Sequence, residues 1–93
     1  MAFNNLGYYT IAPGEEFEIL YWFGGSGGHQ GGNDHGAQFC MAHPLWGYGA
    51  TLFVTQQGKS NTGYGAGPWQ YHVKVANAGP YAMGFNLQGG GLV

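Results

Sequence analysis

Ninety-three residues suffice for one domain with one modest core and leave no room for two. Only 6% of them are Asp, Glu, Lys or Arg, against roughly 25% in ordinary domains; arginine is absent and the formal net charge is −2. With Lys59 and Lys74 as the only fixed cations, phosphate neutralisation cannot drive nucleic-acid binding, and a basic helix lying on a membrane surface is excluded for the same reason.

Twenty glycines, 17% aromatic residues and 44% apolar residues, arranged in short alternating runs, point to a folded all-β protein. The expected architecture is a small antiparallel β-sandwich or barrel of about six strands with long Gly-rich loops. No apolar run approaches a membrane span, and the N-terminal residues Met1, Ala2, Phe3, Asn4 and Asn5 lack the basic and apolar regions of a signal peptide. The expectation is a cytoplasmic start or release by a non-classical route. The single cysteine, Cys40, cannot form an internal disulfide.

The first strand is expected over residues 6–11, through Tyr8, Tyr9 and Thr10, with Pro13 and Gly14 as a turn behind it. Residues 16–23 form the second. There Phe17, Ile19, Tyr21 and Phe23 share the core face, and Glu16, Glu18, Leu20 and Trp22 share the other. Residues 24–36 hold seven glycines together with His29, Asn33, Asp34 and His35, a loop of the length that is uncommon unless it is functional or disordered. An Asx side chain can fix such a loop by bonding its own backbone.

The third strand, residues 37–43, alternates Ala37, Phe39 and Met41 with Gln38, Cys40 and Ala42, and Pro44 ends it. A second loop carries Trp46 and Tyr48, and residues 50–57 form the fourth strand. Residues 57–68 are read as a third loop, too rich in turn residues for a helix. Residues 69–76 and 81–88 alternate cleanly and are joined by Asn77, Ala78, Gly79 and Pro80, of hairpin length, so they are expected to pair with each other.

Metal chemistry would draw on His29, His35, His43, Cys40 and Asp34, but their spacing matches no established site, and no metal or other cofactor is expected. Cys40 with a histidine, or Glu16 with Glu18, could be written as catalytic pairs. Neither pair has an orienting partner in the sequence, and the expectation is a protein that is not an enzyme.

Loop aromatics are the better lead. Trp46, Tyr48, Tyr64 and Trp69 stand in or beside loops that also hold Gln57, Ser60, Asn61 and Thr62. Sugar rings need an aromatic platform and neutral amide or hydroxyl partners. The expected site is therefore Trp46, Tyr48, Asn61, Tyr64 and Trp69, with Asn33 and Asp34 from the glycine loop. The expected function is lectin-like glycan binding by a homo-oligomer. The alternative is a self-assembling structural protein, a filament, coat or pore-forming subunit, whose aromatics are interfacial.

Self-association follows from magnitude. A 9.9 kDa monomer exposes about 5,200 Å². Six charged side chains then leave about 900 Å² each, one partner's share of a standard interface. The outward Leu20 and Trp22 are one expected contact; sheet edges, blunted only by Lys74 and the prolines, are another.

Overall fold

A computed structural model describes residues 2–24, 31–63 and 67–91. They form six strands: β1 (Ala2–Ile11), β2 (Glu16–Tyr21), β3 (Gln38–Pro44), β4 (Leu52–Asn61), β5 (Trp69–Asn77) and β6 (Met83–Gly91). No helix occurs among the described residues. The strands build two three-stranded antiparallel sheets, β1-β6-β3 and β2-β5-β4.

Both sheets contribute to one hydrophobic cluster. Ile11, Ala42, Met83, Phe85 and Leu87 come from the first sheet, and Ile19, Val73 and Val75 from the second. The aromatic rings join the sheets: Tyr9 and Phe17 lie 5.7 and 6.3 Å from Phe85 between centroids. Two-residue alternation places these side chains inward, as the sequence of β2, β5 and β6 implies.

Three boundaries differ from the sequence reading by three residues or more. β1 starts four residues earlier, at Ala2, and accommodates a bulge between Asn5 and Gly7. β4 runs on to Asn61, through Gly58, Lys59 and Ser60, because its edge position requires pairing with β5 alone. β6 continues to Gly91, since glycines at the centre of a sheet still supply backbone donors and acceptors to both neighbours.

The pairing expected between the last two strands does not form. β5 is the centre of one sheet and β6 the centre of the other, so residues 78–82 arch from sheet to sheet. Alternation identifies an inward face but not the partner strand, and two apolar faces can meet across a core as readily as lie side by side. The arch is set by Asn77, which is buried. Its Nδ2 donates to Ile11 O and Tyr81 O at 3.2 and 2.9 Å, and its Oδ1 accepts from Gly79 N at 2.9 Å. Among the described residues, the only sequential strands that pair are β4 and β5.

β3 also exposes its larger side chains. Cys40 and Ala42 face the core, while Phe39 and Met41 point outward and are 54% and 70% exposed. Gly89, opposite Cys40, leaves the room that lets this inward thiol approach the central strand.

Candidate functional site

The antiparallel pairings put the ends of β2, β4 and β6 and the starts of β3 and β5 at one end of the molecule, whose longest extent is 45 Å. The second half of the glycine loop packs here. Gly32 forms a two-way backbone bridge with Trp69, at 2.8 and 2.9 Å, and Asn33 N donates to Phe23 O at 2.7 Å. A side chain at Gly32 would run into the Phe23 backbone, so the close approach requires glycine.

Asp34 then turns the chain by accepting from Gly36 N at 2.7 Å, the Asx geometry that the sequence suggests. The same carboxylate oxygen takes the Lys59 ammonium at 2.6 Å. Lys59 Nζ lies 4.4 Å from the Trp69 ring centroid and 5.6 Å from that of Tyr71. The Lys59 hydrogen bond and the Gly36 N–H hold the Asp34 carboxyl below its ordinary range, and Asp34 in turn holds the Lys59 ammonium above its own.

Tyr71 fastens the loop from beneath. Its hydroxyl accepts from His35 N at 3.0 Å and donates to Gly36 O at 2.9 Å. His35 stacks on Phe23 with centroids 4.1 Å apart, and its carbonyl accepts from Gln38 Nε2 at 3.0 Å.

Beside this anchored loop a cleft of about 370 Å³ opens between β3 and β4. Gln38, Phe39, Gln57, Lys59 and Tyr71 line it together with Gly36. Gln57 spans the gap between the sheets, its Oε1 accepting from Cys40 N at 2.8 Å. Phe39, whose side chain points outward from the β3 edge, is exposed at the rim.

The residues expected to form the site divide into two groups. Trp69, Asn61, Asn33 and Asp34 gather at this end; Asn61 is the register partner of Trp69, and its side chain accepts from Gly63 N at 2.8 Å. Trp46 and Tyr48 follow β3 at the opposite end. Trp46 covers Gly84, where an added Cβ would strike both its ring and the Tyr8 hydroxyl; Tyr48 is 98% exposed. Tyr64, like His29, lies outside the described residues.

Sequence reasoning missed Gln38, Phe39, Lys59 and Tyr71 as site residues. Lys59 carried the one available signal, because it is one of only two fixed cations in the chain. Phe39 and Tyr71 read as ordinary strand residues.

Cys40 and His43 fall on opposite faces of β3, and among the described residues no three His, Cys, Asp or Glu side chains gather to hold a metal. Cys40 packs toward the core with its sulfur 3.2 Å from the Tyr21 hydroxyl. Burial pushes the Cys40 thiol up, and burial together with the thiol pushes Tyr21 up. Glu16 and Glu18 serve different partners: Thr55 Oγ1 donates to Glu16 at 2.7 Å, and His72 Nδ1 lies 3.4 Å from Glu18.

His72 Nε2 also lies 2.7 Å from Ser60 Oγ, which gives the order hydroxyl, imidazole, carboxylate. This row stands on the outward face of the β2-β5-β4 sheet. The row is a cross-strand hydrogen-bond network of the kind that ties neighbouring strands.

Comparison with protein-family models, curated proteins and solved structures finds no match.

Proposed function

We propose that the protein is a non-enzymatic binding module whose cleft between β3 and β4 takes a neutral, hydroxyl-rich ligand of the carbohydrate class. The observation that carries this reading is the Lys59–Asp34 ion pair at 2.6 Å, which neutralises the cation lining the cleft. What remains is an exposed Phe39 ring with two amides, Gln38 and Gln57. An aromatic face receives the C–H surface of a sugar, and amides exchange hydrogen bonds with its hydroxyls.

Each amide is oriented through one of its ends. Gln38 donates from Nε2 to His35 O, and Gln57 accepts at Oε1 from Cys40 N. The Gln38 carbonyl and the Gln57 NH₂ are thus an acceptor and a donor set at fixed angles, which limits the entropy lost on binding. A single cleft of this size binds weakly, and repetition in a homo-oligomer raises avidity without new contacts.

A glycan array probed with untagged protein tests the proposal. Binding to neutral glycans, lost in Phe39→Ala, is the expected result. An array with no signal above background for the native protein overturns it. The second reading, a structural assembling protein, is favoured by a separate observation: none of the strands of the β1-β6-β3 sheet carries a charged residue. Ordered polymers under the electron microscope would support that reading; discrete small oligomers support the binding module.

A further inference from the structure

The geometry points to Asp34 as the residue that determines specificity in the cleft: its carboxylate takes, from within the chain, the place beside Lys59 that an acidic sugar would occupy. The inference rests on the carbohydrate reading of the cleft and names the sugars that the cleft refuses, those bearing carboxylate or sulfate groups.

Taken alone, the wall around Lys59 is suited to an anion. The faces of Trp69 and Tyr71, with centroids 4.4 and 5.6 Å from the ammonium, hold the cation in place independently of any carboxylate. Gln57 stands two residues away on the same strand and lines the same cleft; with its Oε1 bonded to Cys40 N, its NH₂ is the end that donates. An ammonium and an amide donor are the groups that receive a carboxylate or sulfate through charge-assisted hydrogen bonds.

The chain supplies that anion itself. Asp34 Oδ1 lies 2.6 Å from Lys59 Nζ and is fixed by Gly36 N at 2.7 Å. Glu15, Glu16 and Glu18 are engaged with Ala12 N, Thr55 and His72, so Asp34 is the carboxylate side chain that answers Lys59. A tethered, pre-oriented carboxylate acts at a high effective concentration. An acidic sugar must displace it or sit against its charge, and a neutral sugar meets neither obstacle.

The test compares native protein with Asp34→Asn, whose amide oxygen can still accept from Gly36 N and keep the turn while the charge is gone. Sucrose octasulfate is the anionic probe, titrated at low and high salt and followed by NMR at the Gln57 and Lys59 amides. Glu16→Gln is the control, because it makes the same change in net charge on β2, at the opposite edge of the β2-β5-β4 sheet. Adding Lys59→Gln to Asp34→Asn removes the cation. At about 10 mM salt, Asp34→Asn should bind the probe about fivefold or more tightly than native protein, and the gain should shrink at about 300 mM. Glu16→Gln should match native protein, and the double variant should lose the gain. Asp34→Ser, whose hydroxyl can form the same turn, should repeat it, so that the result does not hang on the folding of one variant. Equal affinity in native protein and both Asp34 variants overturns the inference, as does a gain reproduced by Glu16→Gln or one that survives without Lys59. Binding of neutral glycans by native protein is the separate measurement that decides the reading beneath it.

Discussion

Lys59 and Asp34 lie 25 positions apart in the chain and meet at 2.6 Å, with the Lys59 ammonium 4.4 Å above the centre of the Trp69 ring. This contact pins the glycine loop to the hairpin of β4 and β5 and sets the electrostatic character of the cleft beside it.

The pair gives the loop a defined pH window. Asp34 is held below its ordinary range by Lys59 and Gly36 N–H, so its contribution is complete above about pH 4 and disappears as pH falls through the folded value. Lys59 is held above its ordinary range by Asp34, so its contribution is complete below about pH 10 and is lost as pH rises through the folded value. The Asp34 side-chain carboxyl carbon should therefore keep its NMR shift through the ordinary aspartate range and move only below it. Titration at or above about pH 4, the ordinary aspartate value, would contradict the contact.

Asn77→Ala should be the most damaging single substitution of a polar residue. It strips three hydrogen bonds from a buried arch and leaves Ile11 O, Tyr81 O and Gly79 N without their side-chain partner. A loss of about 2–4 kcal/mol is expected in urea unfolding. A loss below about 0.5 kcal/mol would mean that the arch holds without it.

Gly32→Ala should detach the loop selectively. The new methyl would meet Phe23 backbone atoms, which cannot swing aside as a side-chain tip can. Overpacking of this kind costs about 1–3 kcal/mol, and the Gly32–Trp69 bridge is the contact placed to yield. Faster hydrogen exchange at Gly32 and Trp69, with β6 amides still protected, is the expected signature. Unaltered exchange at both would contradict the close approach.

The β class and the inward faces of β2, β5 and β6 were legible because alternation is a local property, and Phe17, Ile19, Val73, Val75, Phe85 and Leu87 obey it. The Asx turn at Asp34 was legible for the same reason. Strand partnership was not, because the arch at Asn77 depends on a hydrogen bond to Ile11, 66 positions away. The site was half legible. Trp69 and Asp34 do meet, whereas Trp46 is at the other end, since loop aromatics look alike in sequence whichever end their strands lead to. Phe39 was hidden by β3, whose outward face carries the larger apolar side chains.

Cys40 should be nearly inert in the folded protein. Burial pushes its thiol up, and the thiolate is the form that reacts. Iodoacetamide at neutral pH should modify it at least about tenfold more slowly than in the unfolded chain. Equal rates would show that the β3 edge opens freely.

The most direct test of the proposed binding cleft is an NMR titration of isotope-labelled, untagged protein with soluble neutral oligosaccharides. The account predicts saturable shifts in the backbone amides of Gln38, Phe39 and Gln57 and in the side-chain amides of both glutamines, with Trp46 and Tyr48 unmoved. Shifts confined to Trp46 and Tyr48, or no saturable shift with any neutral saccharide, would contradict it.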